Sequence, residues 1–177
     1  MTAIPTLETE RLILRPWRFS DLDALAAFYD NAADPDIAFA GGHMKRDGAW
    51  RMLCSRMGHW QQRGYGVFAL EEKDTGLWAG WCGLIHHINE TETEPELAYS
   101  IRQDLRGRGL ATEAVRRVIA YSFETMRVPT LVAFIDPENT VSQRLALRLG
   151  AKKSGTAAVP SRAPDVWRFT ASARAAA

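Results

Sequence analysis

Between an apolar stretch at residues 97–101 and a helical pattern at 112–126 lies Arg106-Gly107-Arg108-Gly109-Leu110-Ala111, a junction that narrows the folds open to this chain. Two glycines let the backbone bend and approach a ligand closely. A helix starting there aims its unpaired N–H groups and the positive end of its dipole at an anion. A second apolar stretch, 130–135, follows the helix. Strand, glycine turn, helix and strand together predict a crossover unit with an anion cradle at its turn. Arg106 and Arg108 read as mobile positive charge beside that cradle. The alternative is a plain glycine turn with solvated arginines.

Periodicity predicts the other elements. Residues 11–17 alternate, with Leu12 and Leu14 on one face, and Pro16 helps to end the strand. Ser20 and Asp23 suit a helix start, after which Leu22, Leu25, Ala26 and Tyr29 recur at helical spacing. A second helix is expected at about 47–61, with Trp50, Leu53, Cys54, Met57 and Trp60 as a core-facing stripe. Stretches 65–71 and 77–85 flank Lys73-Asp74-Thr75-Gly76 as a hairpin. The helix after the glycine turn buries Ala111, Val115, Val118, Ser122 and Met126. Asn139 can cap a last helix carrying Val141, Leu145 and Leu149, with Gly150 at its left-handed end. Strands are expected at 166–170 and, less regularly, at 155–159, and 171–177 as a frayed tail.

A chain of 177 residues suits a single domain, and 46% hydrophobic with 24% charged residues is ordinary for a globular protein. The formal net charge of +1 exerts no global pull on nucleic acid, so none is expected as partner. No segment approaches the roughly 20 apolar residues of a membrane span, and the acidic N-terminus lacks a signal-peptide core. Cys54 and Cys82 are too far apart for a metal knuckle and read as reduced, buried thiols. A cytoplasmic protein without metal, monomeric or homodimeric, is the expectation.

Arg106, Gly109 and Ala111 stand first, fourth and sixth in an R/Q-x-x-G-x-G/A pattern, which resembles the acyl-CoA-binding motif of the GNAT acetyltransferase superfamily. The stretch from Glu8-Thr9-Glu10-Arg11-Leu12 through Arg15-Pro16-Trp17, followed by Asp21, resembles the opening of the ribosomal-protein N-terminal acetyltransferase (RimJ/RimL) branch. Gly64-Tyr65-Gly66-Val67-Phe68, Thr75-Gly76 and Gly80-Trp81-Cys82-Gly83-Leu84 are similar to its central hairpin. Glu96-Leu97-Ala98-Tyr99, Ala111-Thr112-Glu113-Ala114 and Asn139-x-x-Ser142 with Leu149-Gly150 follow in family order. The resemblance implies a mixed α/β fold, with a mostly antiparallel, twisted sheet of about seven strands flanked by about four helices. It implies acetyl-CoA as acyl donor and an amine as acceptor, either a protein N-terminus or a small molecule.

The same resemblance assigns roles. Tyr99 and Ile101 would offer backbone groups to the pantetheine arm. Arg106, Gly107, Arg108, Gly109, Leu110, Ala111 and Thr112 would surround the diphosphate, and Asn139 would reach the arm or simply cap its helix. Glu96 matches a general base, although Glu90, Glu92, Glu94 and Glu96 also read as a solvated edge or an acidic mouth. Tyr99, His86 and His87 are alternative proton handlers. The family's tyrosine acid falls at Ala146, which leaves Ser142 as proton donor to the thiolate, or as a small packing residue. Neither cysteine has an evident activating partner, so an acyl-cysteine route is not expected. A catalytically weak acyl-CoA-binding module is the competing function. A Rossmann site fails for want of its full glycine fingerprint and acidic partner, and a Walker site lacks its lysine ending.

Overall fold

The computed structural model describes residues 3–31, 34, 37, 40, 42–86, 94–157 and 163–171. Among them are β1 (Leu7–Glu8), β2 (Leu12–Arg15), α1 (Leu22–Asp30), α2 (Arg46–Arg63), β3 (Val67–Glu72), β4 (Trp78–Ile85) and β5 (Glu96–Ile101). Then come α3 (Leu110–Glu124), β6 (Thr130–Ile135), α4 (Thr140–Arg148), β7 (Lys152–Thr156) and β8 (Asp165–Thr170). The strands form a mixed sheet in the order β1-β2-β3-β4-β5-β6-β8-β7, so the expected α/β class holds with eight strands rather than seven. The additional strand, β1, is only two residues long and has no periodicity to read.

Contacts divide the chain into two compact units. The first comprises Met1–Gly83 with Tyr99–Arg117, the second Leu84–Ala98 with Val118–Ala177. In the first, β1 to β4 pair antiparallel in succession, and Leu12, Leu14, Leu53, Leu70 and Tyr29 are fully buried. The outward-facing Arg15 of the β2 alternation is itself buried. Its guanidinium donates to both Asp21 oxygens at 2.8 and 2.9 Å and to Glu71 at 2.6 Å. Those contacts raise its pKa, chiefly through Asp21, and keep the buried charge paired. Asp21 also accepts the Arg18 N–H at 2.8 Å. A 3-10 turn, Phe19–Asp21, therefore leads into α1, and the expected start at Ser20 is corrected.

Helix α2 buries Ala49, Leu53 and Trp60, whereas Trp50 and Met57 are 42% and 43% exposed. The expected stripe is thus rotated: Trp60 faces inward because its indole N–H reaches the Val67 carbonyl at 3.0 Å. Cys54 lies on the exposed side, contrary to expectation, and only Cys82 is buried. Burial pushes the Cys82 thiol far up, so it stays protonated.

In the second unit β5 and β6 run parallel, as a crossover through a helix requires, with Glu96 opposite Val132. Helix α3, which belongs to the first unit as far as Arg117 and to the second from Val118, buries Ala114, Val115, Val118 and Ser122, while Ala111 and Met126 are only half-buried. Strand β8 alternates cleanly, burying Asp165, Trp167 and Phe169. Strand β7 starts at Lys152 rather than near 155 and is exposed throughout, so no apolar alternation marked its start. The expected end of that strand, at 158–159, lies outside the described residues.

Glu94 precedes β5 and accepts from Arg168 of β8 at 2.6, 3.0 and 3.2 Å, and from the Thr130 hydroxyl. The Arg168 hydrogen bonds hold its carboxyl below the usual carboxylate range. A folded-state pKa lowered in this way adds stability above the unfolded value of about 4.3, lost as pH falls toward the folded value. Wild type should therefore be more stable than Glu94→Gln at neutral pH, with the gap shrinking below about pH 4.3. Urea melts across pH test this, and a gap that is constant with pH would show that the pair contributes nothing.

Candidate functional site

The glycine turn leads from β5 into a helix N-terminus, as the sequence predicts, and lies within the first unit. Beyond Ile101 the Arg102 N–H donates to Ala79 O and its guanidinium to Trp78 O, each at 2.9 Å, which anchors the chain to β4. The close approach of the two strands explains Gly80, where a Cβ would lie 2.2 Å from the Ser100 carbonyl oxygen. A 3-10 turn, Gln103–Leu105, follows, and then Gly107 and Gly109 at φ 74° and 82°. Both are in the left-handed region that favours glycine, so the turn needs them at these positions. The Glu113 N–H donates to Gly109 O at 3.1 Å and opens the helical ladder. The amides of Leu110, Ala111 and Thr112 precede that bond and have no acceptor within the helix. They provide partial positive charge suited to a phosphate oxygen.

The arginines depart from expectation. Arg106 forms a bidentate pair with Asp34 at 2.7 and 2.6 Å, and its Nε donates to the Ile101 carbonyl at 2.9 Å. Arg108 pairs with Glu72 at 2.8 Å, and the Thr75 hydroxyl donates to the same carboxylate at 3.1 Å. Both guanidinium groups are thus paired with carboxylates. The Ile101 carbonyl, at the end of β5, accepts one of the Arg106 hydrogen bonds.

Arg11 is a site residue that the sequence reading missed. Its main-chain N–H and Nε donate to the two Glu113 oxygens at 2.7 and 2.8 Å, and Nη1 donates to the Arg108 carbonyl at 2.8 Å. One side chain, from the residue just before β2, thus holds the loop and the first turn of α3 together. Burial raises the Glu113 pKa, but hydrogen bonds from Thr9 and Arg11 outweigh it and leave the carboxyl lowered. The available signals were an arginine on the outward face of a predicted strand and an acid in the first turn of a predicted helix. Neither identifies its partner, a hundred residues away in the chain.

Glu96 and Tyr99 are half-buried on β5, so Glu96 is not on a solvated edge. Glu94 belongs to the Arg168 pair rather than to a solvated loop, His86 is half-buried just past β4, and His87, Glu90 and Glu92 lie outside the described residues. In the second unit, Asn139 Oδ1 accepts the Ser142 N–H at 3.0 Å, which establishes its capping role and locates Ser142 in the first turn of α4. Ala146, at the family's tyrosine position, is buried. Gly150 has φ 86°, as expected of a left-handed helix end.

The family model of the acetyltransferase (GNAT) domain matches residues 11–152. The chain is similar to YkkB, an uncharacterized protein of Bacillus subtilis, at 32% identity, over 88% of this chain and 90% of that one. It is 27% identical to the alanine N-acetyltransferase of ribosomal protein uS5 from Escherichia coli, over 85% of this chain and 80% of that one. An acetyltransferase crystal structure from Agrobacterium tumefaciens superposes with a TM-score of 0.82 at 31% identity, covering 96% of each chain.

Removing the Arg11 side chain should loosen the cradle before it unfolds the protein. Arg11→Ala should cost about 1 to 3 kcal/mol, as lost hydrogen bonds to a charged group do, and raise amide exchange at residues 108–113 first. Hydrogen-exchange mass spectrometry that finds those amides as protected as in wild type would remove Arg11 from this role.

Proposed function

The chain belongs to the GNAT acetyltransferase family, and we propose that, as an N-acetyltransferase, it moves an acetyl group from acetyl-CoA to a primary amine by direct attack in a ternary complex. The acceptor in this reading is a protein N-terminal amine or a small-molecule amine. The observation that carries the proposal is the cradle: three amides ahead of the first helical bond, approached through two left-handed glycines. A Cβ on Gly107 would meet nothing within 4 Å, and one on Gly109 only the Arg11 guanidinium at 3.5 Å, so ligand atoms can approach the backbone. That geometry suits the diphosphate of CoA.

With the diphosphate so placed, backbone groups near Tyr99 polarise the thioester carbonyl, and Asn139 contacts the pantetheine arm. The amine nitrogen bonds to the carbonyl carbon as the carbon–sulfur bond breaks, with both substrates held together and no nucleophilic side chain taking part. An attacking amine must be uncharged. At pH 7 deprotonation costs about 1 kcal/mol for an α-amine and about 5 for a lysine. Glu96 takes that proton, directly or through water. Ser142 supplies a proton to the departing sulfur, a modest requirement, since leaving as thiolate costs only about 2 kcal/mol at pH 7. Similarity to the ribosomal-protein branch supports a protein N-terminus as acceptor, and a cytoplasmic, metal-free, single-domain enzyme acting as monomer or homodimer completes the reading.

Given acetyl-CoA and a panel of amines, the protein should release free thiol only with an acceptor present, and Gly109→Trp should abolish acetyl-CoA binding by calorimetry while still folding. Binding without acceptor-dependent thiol release would identify a CoA-binding module instead, and unchanged affinity in Gly109→Trp would contradict the cradle. Glu96→Gln should lower turnover most at low pH, where the amine is most protonated. A constant ratio of mutant to wild-type rate across pH would exclude Glu96 as base.

A further inference from the structure

We infer that Asp34 is a positioning residue for the coenzyme, and that Arg106, the first residue of the glycine motif, shapes the entrance of the cradle rather than contacting the diphosphate. The inference rests on the cradle being the coenzyme site. Arg106 commits one N–H to the Ile101 carbonyl at 2.9 Å and one from each terminal nitrogen to the two Asp34 oxygens at 2.7 and 2.6 Å. The planar fork of arginine matches a carboxylate in this way, and lysine cannot reproduce it.

Burial gives the pair its direction. The Asp34 side chain is 2% exposed and that of Arg106 is 26% exposed. Turning Arg106 toward a phosphate would strand a buried carboxylate, a change that a solvated anion contact would not offset. A second contact has the same effect. The Asn31 amide at the end of α1 donates to the Gln103 side chain at 3.2 Å, in the turn just before Arg106. Arg106 also bridges that turn, since its guanidinium returns to Ile101 at the end of β5. The path from β5 into the cradle is thus fixed on one side by its own strand and on the other by the segment after α1. The amides of the proposed phosphate site begin at Leu110, four residues beyond the residue so held.

The two roles for Arg106 predict opposite behaviour when Asp34 is neutralised. If Arg106 were a phosphate ligand, Asp34→Asn would release its charge and leave acetyl-CoA affinity unchanged or tighter. In the positioning role, Asp34→Asn and Arg106→Gln should each raise the Kd and KM for acetyl-CoA about tenfold, the double variant no more than either single one, with kcat at saturating coenzyme preserved. Arg106→Lys keeps the charge without the fork, so it should lose affinity as Gln does, and it settles the matter if Asp34→Asn fails to fold. Asp165→Asn, which removes a buried carboxylate of β8 paired with Lys153 of β7, controls for general destabilisation and should leave Kd unchanged. Affinity retained in Asp34→Asn or Arg106→Lys, or additive losses in the double variant, would overturn the inference. Wild-type protein that does not bind acetyl-CoA would overturn the coenzyme reading itself, a result separate from either.

Discussion

The constraint on which the site depends is the path of the backbone from β5 into α3. A chain leaving a strand and entering a helix within a few residues must reverse its conformational preference, and here it does so through two positive φ angles, at Gly107 and Gly109. Only then do the first amides of α3 stand ahead of any helical acceptor. Two left-handed residues in so short a turn would leave the loop loose on its own. The surrounding side chains remove that freedom. Arg11 binds Glu113 and the Arg108 carbonyl, Arg106 binds Asp34 and the Ile101 carbonyl, and Arg108 binds Glu72.

Three arginines and three carboxylates make the walls of the cradle nearly neutral. Any attraction for an anion there then falls on the main-chain amides and the helix dipole, whose positions the fold sets. Ordering of mobile arginine side chains would cost entropy at each binding event, whereas here that cost is met on folding.

Ion pairs elsewhere, one buried at Arg15 and one half-buried at Arg168, follow similar physics with a structural purpose. Arg15 with Asp21 and Glu71 sets the start of α1, and Arg168 with Glu94 ties the approach of β5 to β8. Arg15 finds one acid 6 positions away and another 56 away, and Arg168 finds one 74 away. A buried charge of this kind is costly to strand, so these pairs favour one register over its alternatives.

Local physics was legible in the chain itself. The glycine turn, the hairpin ending at Gly76, the parallel unit of β5, α3 and β6, the cap at Asn139 and the left-handed end at Gly150 all rest on conformational preferences or periodicities spanning a few residues. What such patterns leave open is direction and partnership. Trp50 and Trp60 lie on the same helix, and only packing against β3 decided that Trp60 turns inward. Arg106 beside a glycine turn could serve a ligand or a carboxylate, and only the folded chain brings Asp34 to it across 72 positions of sequence. Backbone angles are governed by neighbours along the chain, so sequence determined the cradle. Charge pairing is governed by neighbours in space, so tertiary structure decided what its arginines do.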